Sequence, residues 1–248
     1  MKVEIFALRL PYVKMGDDVA ALILEALKEQ SLELSDGDVV VVTEKIVARA
    51  EGREVELDSV APSAEAQRLA KATGKDPRVV QLILDEAKEV LAVGENFIIV
   101  ETRHGLVCAN AGIDQSNVEQ GRAKLLPLDP DRSAAGIRRR LEEATGKRLG
   151  VVIADSFGRS FRLGSVGVAI GCSGIVALLD RRGERDFLGR ELRVTRVAVA
   201  DCIASAANLV MGEAAEGIPV AVVRGLSVLG KGSARDLIRP KESDVFRR

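Results

Sequence analysis

At 248 residues with 47% hydrophobic content, the chain is long enough to bury a substantial core, as one domain or as two lobes. Its 36 basic and 37 acidic residues almost cancel and only 3% of residues are aromatic, which argues against a nucleic-acid-binding protein and against attraction to an anionic membrane. Three widely separated cysteines, Cys108, Cys172 and Cys202, predict neither a disulfide framework nor a CxxC metal site. The apolar runs are too short to cross a bilayer and no secretion signal is evident, so we expect a cytoplasmic protein.

The amino-terminal half mixes predicted strands and helices. Hydrophobic periodicity predicts a strand at residues 3–8, a helix within 17–30, a buried strand at 39–43, and helices at 64–73 and 77–93. Residues 97–102 and 106–109 are predicted to form a hairpin around His104 and Gly105.

The carboxyl-terminal half is richer in glycine. We predict a helix at residues 133–145, a buried strand at 149–154, strands at 166–171 and 192–199, a helix at 201–211 and a strand at 218–224. Because these elements lack a regular βαβ rhythm, we expect an α+β fold with mixed sheets and packed helices. The charged tail from Lys231 is expected either to be mobile or to cover a partner.

Three carboxylates follow apolar segments in glycine-rich surroundings: Asp114, Asp155 and Glu213. Asp155 is followed by Ser156, and carboxylate and hydroxyl oxygens suit Mg²⁺ or Mn²⁺ carrying phosphate oxygens. Zinc is disfavoured because the chain has a single histidine, His104, and scattered cysteines. Each acid alone is more typical of a helix cap or a turn than of a metal site, and the spacing does not decide whether the three converge.

Several cations are candidates for binding an anion. Lys45 and Arg49 are four residues apart, so on a helix they share a face and are placed to hold phosphate oxygens, or else they form a solvated surface pair. Arg159 and Arg162 follow Asp155 closely, which suits balancing negative charge beside a metal.

Common nucleotide motifs do not occur in the chain. There is no GxxxxGK[ST] loop and no GxGxxG after a strand, although Gly212 and Gly217 leave room for backbone N–H groups to approach phosphates. His104 is not paired with a serine or cysteine nucleophile in any recognisable pattern, so we expect it to have a surface role.

Several blocks, in order along nearly the whole chain, carry a family resemblance. They comprise residues 10–13, 41–53, 107–117, 126–130, 153–159, 168–171, 186–192 and 208–213. In these blocks the sequence resembles the coenzyme F420-0:L-glutamate ligase family, also called F420 γ-glutamyl ligases.

The resemblance implies GTP-dependent formation of an amide between a carboxylate of the F420 precursor and the amine of L-glutamate, with later additions through the γ-carboxyl. It further implies two Mg²⁺ or Mn²⁺ ions, K⁺, an F420 ligase-like fold and an intertwined homodimer. Residues 1–248 are then a single domain of the stand-alone type, without a fused flavin-reductase-like domain.

The resemblance also implies site residues. Asp114, Asp155 and Glu213 would be catalytic metal ligands, with Ser156 as a fourth ligand. GTP would be bound by Leu10, Pro11, Tyr12, Val13, Glu44, Lys45, Arg49, Asn117, Met211, Gly212, Glu213, Ala214, Ala215, Glu216, Gly217 and Ile218.

Three positions depart from the family pattern. Glu44 stands where a small hydroxyl residue is common, Arg49 replaces a common lysine, and Ser156 stands for a common threonine.

The mechanism that we expect begins with attack of the precursor carboxylate on the γ-phosphate of GTP, which gives an acyl phosphate that the glutamate amine then displaces. The roles of Arg159 and Arg162 stay open between the phosphates and the precursor. Two other readings also remain: a ligase of the same fold acting on a different carboxylate, and a nucleotide-binding module without turnover.

Overall fold

The computed structural model describes residues 2–247. In chain order the helices and strands are β1 (Glu4–Leu8), α1 (Val19–Glu29), β2 (Val39–Thr43), α2 (Glu44–Ala50), β3 (Glu54–Glu56), α3 (Ala64–Thr73), α4 (Pro77–Glu86), β4 (Ala87–Gly94), β5 (Phe97–Thr102), β6 (Val107–Ala109), β7 (Arg122–Lys124), α5 (Pro130–Thr145), β8 (Gly150–Arg159), β9 (Arg162–Ser173), β10 (Leu178–Asp180), β11 (Arg196–Ala198), α6 (Val199–Met211) and β12 (Val220–Arg224).

A five-stranded mixed sheet lies at the centre, in the order β1-β12-β2-β8-β9. Strands β2 and β8 are parallel, and the other neighbours in this sheet are antiparallel. The run Val39–Val42 is buried on every residue because helices cover both faces, which is why its sequence is continuously apolar instead of alternating. The predicted strand at 39–43 and the predicted α+β class are confirmed.

Helices cover the two faces of this sheet. Helices α1 and α5 contribute to a core with Val40, Val42 and Ile153, while α6 packs on the opposite face with Val39 and Val41. At Gly167 of β9, a Cβ atom would lie 2.4 Å from the backbone oxygen of Ala204, so glycine permits the close approach of α6.

A separate hydrophobic cluster lies beside the main sheet. It joins α3 and α4 to the sheet β4-β5-β6 and to the short pair β3-β7, with Val80, Ile83, Ile98 and Val100 fully buried. The predicted hairpin around His104 and Gly105 is confirmed as β5 and β6.

Two predicted elements are wrong in extent. The helix predicted at 77–93 ends at Glu86, and Ala87–Gly94 instead forms β4, which pairs with β5. Of the strand predicted at 192–199, only Arg196–Ala198 is a strand, and α6 already begins at Val199. At 87–94 a neighbouring strand supplies pairing that local propensity does not reveal, whereas β11 is short because it pairs with β10 only over Arg196–Ala198.

The tail from Lys231 packs against its own chain. Ile238 joins the core beneath α1 and α5, and Arg247 is nearly buried, with Nη1 3.2 Å from Glu101 Oε2 and Nε 2.7 Å from Asp244 Oδ2. Over residues 2–247 the structure contains no helix with the length and hydrophobicity needed to span a membrane.

Candidate functional site

The site forms at one end of the parallel strands β2 and β8. Their register pairs Thr43 with Ala154, so Glu44 and Lys45 at the start of α2 come out at the same edge of the sheet as Asp155. Ligand sites in sheets of this kind lie beyond the carboxyl ends of parallel strands. The register between β8 and β9 shifts between Ile153 and Ala154, directly before Asp155, with Ile170 as the extra residue of a bulge in β9.

A cavity of about 930 Å³ opens at this edge. It is lined by Leu10, Pro11, Tyr12, Val13, Thr43, Lys45, Ile46, Arg49, Asp114, Ser116, Asn117, Val118, Glu119, Ala154, Asp155, Ser156, Ser165, Ala204, Asn208, Met211, Gly212, Glu213, Ala214, Ala215, Glu216, Gly217, Ile218 and Pro219. Every residue predicted from the sequence to bind nucleotide or metal therefore lies on one surface, with the exception of Glu44.

Asp114 is held by a lysine and a serine. Its Oδ2 lies 2.8 Å from Lys45 Nζ, and the Ser116 hydroxyl donates to the same oxygen while also lying 2.9 Å from Lys45 Nζ. Burial opposes ionisation of Asp114, but the hydrogen bonds from Lys45 and Ser116 outweigh it and lower its pKa to about 2. For Lys45, burial is likewise outweighed by Asp114, so its pKa is raised. Asp114 is a carboxylate at any physiological pH.

Asp155, Ser156 and Glu213 form a second polar group in the same cavity. The Ser156 hydroxyl donates to Glu213 Oε1 at 2.5 Å, and Asn208 Nδ2 donates to the same oxygen at 2.7 Å. Asp155 accepts from the Ser156 backbone N–H at 2.8 Å, and burial raises its pKa despite the positive charge of Lys124 nearby. Its raised pKa means that this carboxylate is under-compensated by cations of the chain itself.

Oxygens of this type bind hard divalent cations, but here they are not arranged as a preformed coordination site. Within residues 2–247, no group of three or more histidine, cysteine, aspartate or glutamate side chains is arranged to hold a metal ion. Asp114 is engaged by Lys45, and Glu213 by Ser156 and Asn208. The donor set of carboxylates and a hydroxyl suits Mg²⁺ or Mn²⁺, and the under-compensated Asp155 is a position where such a charge would be stabilised.

Arg49 organises another part of the cavity wall. Its guanidinium lies over the Tyr12 ring at 4.4 Å from the centroid, its Nε donates to Glu54 at 2.7 Å and its Nη2 donates to the Asn117 carbonyl at 2.6 Å. The side chain is largely buried, which decides against the solvated surface pair as an interpretation of Lys45 and Arg49. The helix predicted for their spacing is confirmed as α2.

The segment after α6 supplies a glycine-rich wall. Gly212 has φ +74° and ψ −177°, a conformation that is open essentially only to glycine, and a Cβ atom there would lie 2.2 Å from Glu216 Cδ. The Glu216 carboxylate accepts from the Ala214 backbone N–H at 2.8 Å, which fixes the turn.

Glu44 does not reach the cavity. Its side chain is fully buried and pairs with Lys124, which is also nearly completely buried. Burial raises the pKa of Glu44 to about 7, although Lys124 opposes this shift, and Glu44 Oε2 has no hydrogen-bond partner among residues 2–247. The placement does not support direct contact between Glu44 and a nucleotide, and it accounts for an acid at a position where the resemblance leads us to expect a small hydroxyl residue.

Arg159 and Arg162 lie at the tip of the hairpin formed by β8 and β9, where they pair with each other in register. Neither lines the cavity, and Arg159 Nη2 donates to the Leu163 carbonyl at 2.9 Å. Within this chain they do not balance the charge of Asp155.

Three polar residues whose side chains contact the predicted acids were missed by the sequence reasoning. Ser116 and Asn208 line the cavity and bind Asp114 and Glu213, and Lys124 lies behind it. The first two belong to sequence blocks that carry the family resemblance, so closer attention to those blocks could have found them. No motif marks Lys124.

A family model described as F420-0:Gamma-glutamyl ligase matches residues 7–225. The chain belongs to this family. One relative of this chain is the protein named coenzyme F420:L-glutamate ligase from Methanocaldococcus jannaschii. It is 56% identical over 247 residues, covering 99% of this chain and 97% of the relative. Proteins of the same name from Methanothermobacter thermautotrophicus and Archaeoglobus fulgidus are 53% and 49% identical, covering 96% and 100% of this chain and 96% and 98% of their own lengths. The family match therefore covers every segment that lines the cavity.

Proposed function

We propose that this chain is a ligase that uses GTP to join L-glutamate to a precursor of coenzyme F420. The names of its relatives support the two substrates. The observation that carries the proposal is the convergence of Asp114, Asp155 and Glu213, from three distant parts of the sequence, on one cavity large enough for a nucleotide.

Divalent cations belong to this proposal. Asp114, Asp155, Ser156 and Glu213 would hold one or two Mg²⁺ or Mn²⁺ ions, and K⁺ is proposed on the resemblance alone. When bound, divalent cations neutralise phosphate oxygens and the charge that develops on them during transfer. Lys45 and the three acids already bring mixed charge to this part of the cavity.

The remaining residues of the cavity would bind and orient the nucleotide. We assign Tyr12, Arg49 and Asn117 to one part of GTP and the turn after α6 to another, because both walls are fixed by hydrogen bonds before any ligand enters. Lys45 is positioned to donate to phosphate oxygens once it leaves Asp114. Walls fixed in advance reduce the ordering that binding requires.

The proposed chemistry has two steps. The precursor carboxylate attacks the γ-phosphorus of GTP in line, forming an acyl phosphate and releasing GDP. The amine of glutamate then attacks the acyl carbon, the phosphate leaves with the bonding electrons, and the amine loses a proton to complete the amide. No covalent bond to the protein is needed, so the chain would act through positioning and electrostatics.

One incubation tests the proposal. The purified protein is mixed with the F420 precursor, L-glutamate, GTP and Mn²⁺, and the products are read by mass spectrometry. We expect a mass increase by glutamyl units together with GDP and phosphate, dependent on every component. Nucleotide binding without release of phosphate would instead indicate a binding module, and transfer of glutamate to another carboxylate but not to the precursor would indicate a different acceptor.

We also propose a homodimer. Support comes from two hairpin regions with strongly exposed apolar side chains, Phe161 and Leu163 in the first and Phe187 and Leu188 in the second. Light scattering coupled to size exclusion should give twice the mass of 26.5 kDa, and Phe187→Ser should shift the population towards the monomer. A monomer at every concentration would refute it.

A further inference from the structure

Two ion pairs cross between the same two pieces of chain. Glu44 and Lys45 are consecutive at the start of α2, and Asp114 and Lys124 are main-chain partners: Asp114 N–H donates to the Lys124 carbonyl at 3.1 Å and Lys124 N–H donates to the Asp114 carbonyl at 2.8 Å. Lys45 reaches Asp114 on the cavity surface, while Glu44 reaches Lys124 behind it.

The two pairs differ in their access to ligands. Lys45 and Asp114 are each about one-third exposed and line the cavity, whereas Lys124 and Glu44 are 2% and 1% exposed and do not. If Asp114 binds a metal and Lys45 binds phosphate, as proposed above, the outer pair must break when ligands enter. The inner pair has no such competitor, so it can keep the start of α2 joined to the segment that carries Asp114 after the outer pair breaks.

The inner pair is a poor candidate for a purely stabilising contact. Removing two charges from water costs about as much as their attraction returns, so replacing a buried pair by apolar residues is often neutral. Within the described part of the chain Glu44 Oε2 also lacks a hydrogen-bond partner, which adds to that cost. The role left for the Glu44–Lys124 pair is to fix the geometry of the cavity wall.

We propose that Glu44 and Lys124 are positioning residues, which hold Lys45 and Asp114 at their places in the cavity wall while these two side chains exchange their mutual contact for phosphate and metal. This inference rests on the proposed function. It adds two residues that touch neither the nucleotide nor the metal, and it assigns the acid at position 44 to the support of a metal ligand.

The test is a double variant that removes both charges, Glu44→Met with Lys124→Met. Mn²⁺ binding is measured by electron paramagnetic resonance of the free ion, with a non-hydrolysable GTP analogue present, and the melting temperature is measured in parallel. We expect a melting temperature equal to or above that of the wild type, but Mn²⁺ affinity lowered about 10–100-fold, the range found when supporting residues behind metal ligands are lost.

A matched control is available far from the cavity. Glu101 and Arg247 also form a nearly buried pair, 8% and 5% exposed, and neither lines the cavity. Glu101→Met with Arg247→Met should leave Mn²⁺ affinity unchanged. Glu44→Gln keeps an acceptor for Lys124, so it should retain Mn²⁺ affinity within about threefold and provides a readout if the double variant does not fold.

The outcomes separate the inference from the proposed function. Wild-type protein that binds no Mn²⁺ with the nucleotide analogue overturns both. Wild-type binding together with unchanged affinity in the double methionine variant overturns the positioning role alone. If the double variant does not fold, a loss of more than about tenfold in Glu44→Gln overturns it as well, because the acceptor is retained there.

Discussion

Replacing Asp114 with Asn should destabilise the protein in a manner that depends on pH. The pKa of Asp114 is lowered from 3.8 to about 2, mainly through Lys45 and Ser116 acting against burial. A shift of this size corresponds to about 2.5 kcal/mol at 1.36 kcal/mol per unit. The side chain is 34% exposed, so solvent screening reduces the expected contribution to about 1–2 kcal/mol.

The sign follows from proton binding. Because the pKa is lower in the folded state, the unfolded chain binds more protons at acid pH, and stabilisation is fully present above 3.8 and lost as the pH falls through about 2. The difference in unfolding free energy between wild type and Asp114→Asn should therefore be constant near neutral pH and shrink towards zero in that acid window.

Urea unfolding followed by far-ultraviolet circular dichroism is the suitable assay, since the chain has no tryptophan and one tyrosine. Titrating groups that do not interact with Asp114 are shared by the two proteins and cancel in the difference. Asp58→Asn is the matched control, because the Asp58 side chain is 96% exposed and its ion pair with Arg78 lies at the surface, so its difference should stay small at every pH. A difference for Asp114→Asn that stays unchanged from neutral pH down to about 2 would refute the reasoning.

Three further outcomes are expected. Asp155→Asn should lower glutamyl transfer, read by mass spectrometry, by at least about 100-fold, while the melting temperature holds or rises because burial disfavours the ionised Asp155; turnover near that of wild type would contradict its role. Gly212→Ala should weaken binding of a GTP analogue in calorimetry, since its φ of +74° and the contact with Glu216 make a side chain cost about 1–3 kcal/mol; unchanged affinity would remove this turn from the nucleotide site. Ile153→Ala should lower the unfolding free energy by about 2–5 kcal/mol in urea titration, because Ile153 is completely buried in β8; a loss below about 1 kcal/mol would show that the core collapses around the gap.

Much of the fold could be predicted because its strongest signals are local. The run of valines at 39–42 has no other stable place than a covered strand, and Gly74 and Gly146 end α3 and α5 in the left-handed conformation as their positions suggest. The segment 87–94 was misjudged because its alanine, lysine, glutamate and leucine residues favour a helix in isolation, whereas pairing with β5 makes it a strand.

In the candidate site, too, the residues that could be predicted are those with local sequence signals. The sequence blocks of the resemblance contain most of the cavity lining, since those residues are close to one another within each block. The pairing of Glu44 with Lys124 could not be predicted from the sequence, because the two residues are 80 positions apart and no spacing rule connects them. A buried ion pair between distant segments becomes visible only when the topology brings the segments together.

The parallel pairing of β2 with β8 has a practical consequence for redesign. Lys45 and Asp155 are attached to adjacent strands of the central sheet, while Tyr12, Asn117 and Glu216 belong to connecting segments that contact the cavity from outside the sheet. Lys45 and Asp155 are thus held by the sheet, whereas recognition residues on the connecting segments are exchangeable. Exchanging Tyr12, Asn117 and Glu216 for the residues of another family member, with Asp114 and Glu213 kept, should alter which triphosphate is accepted without disturbing the groups nearest the transferred phosphate.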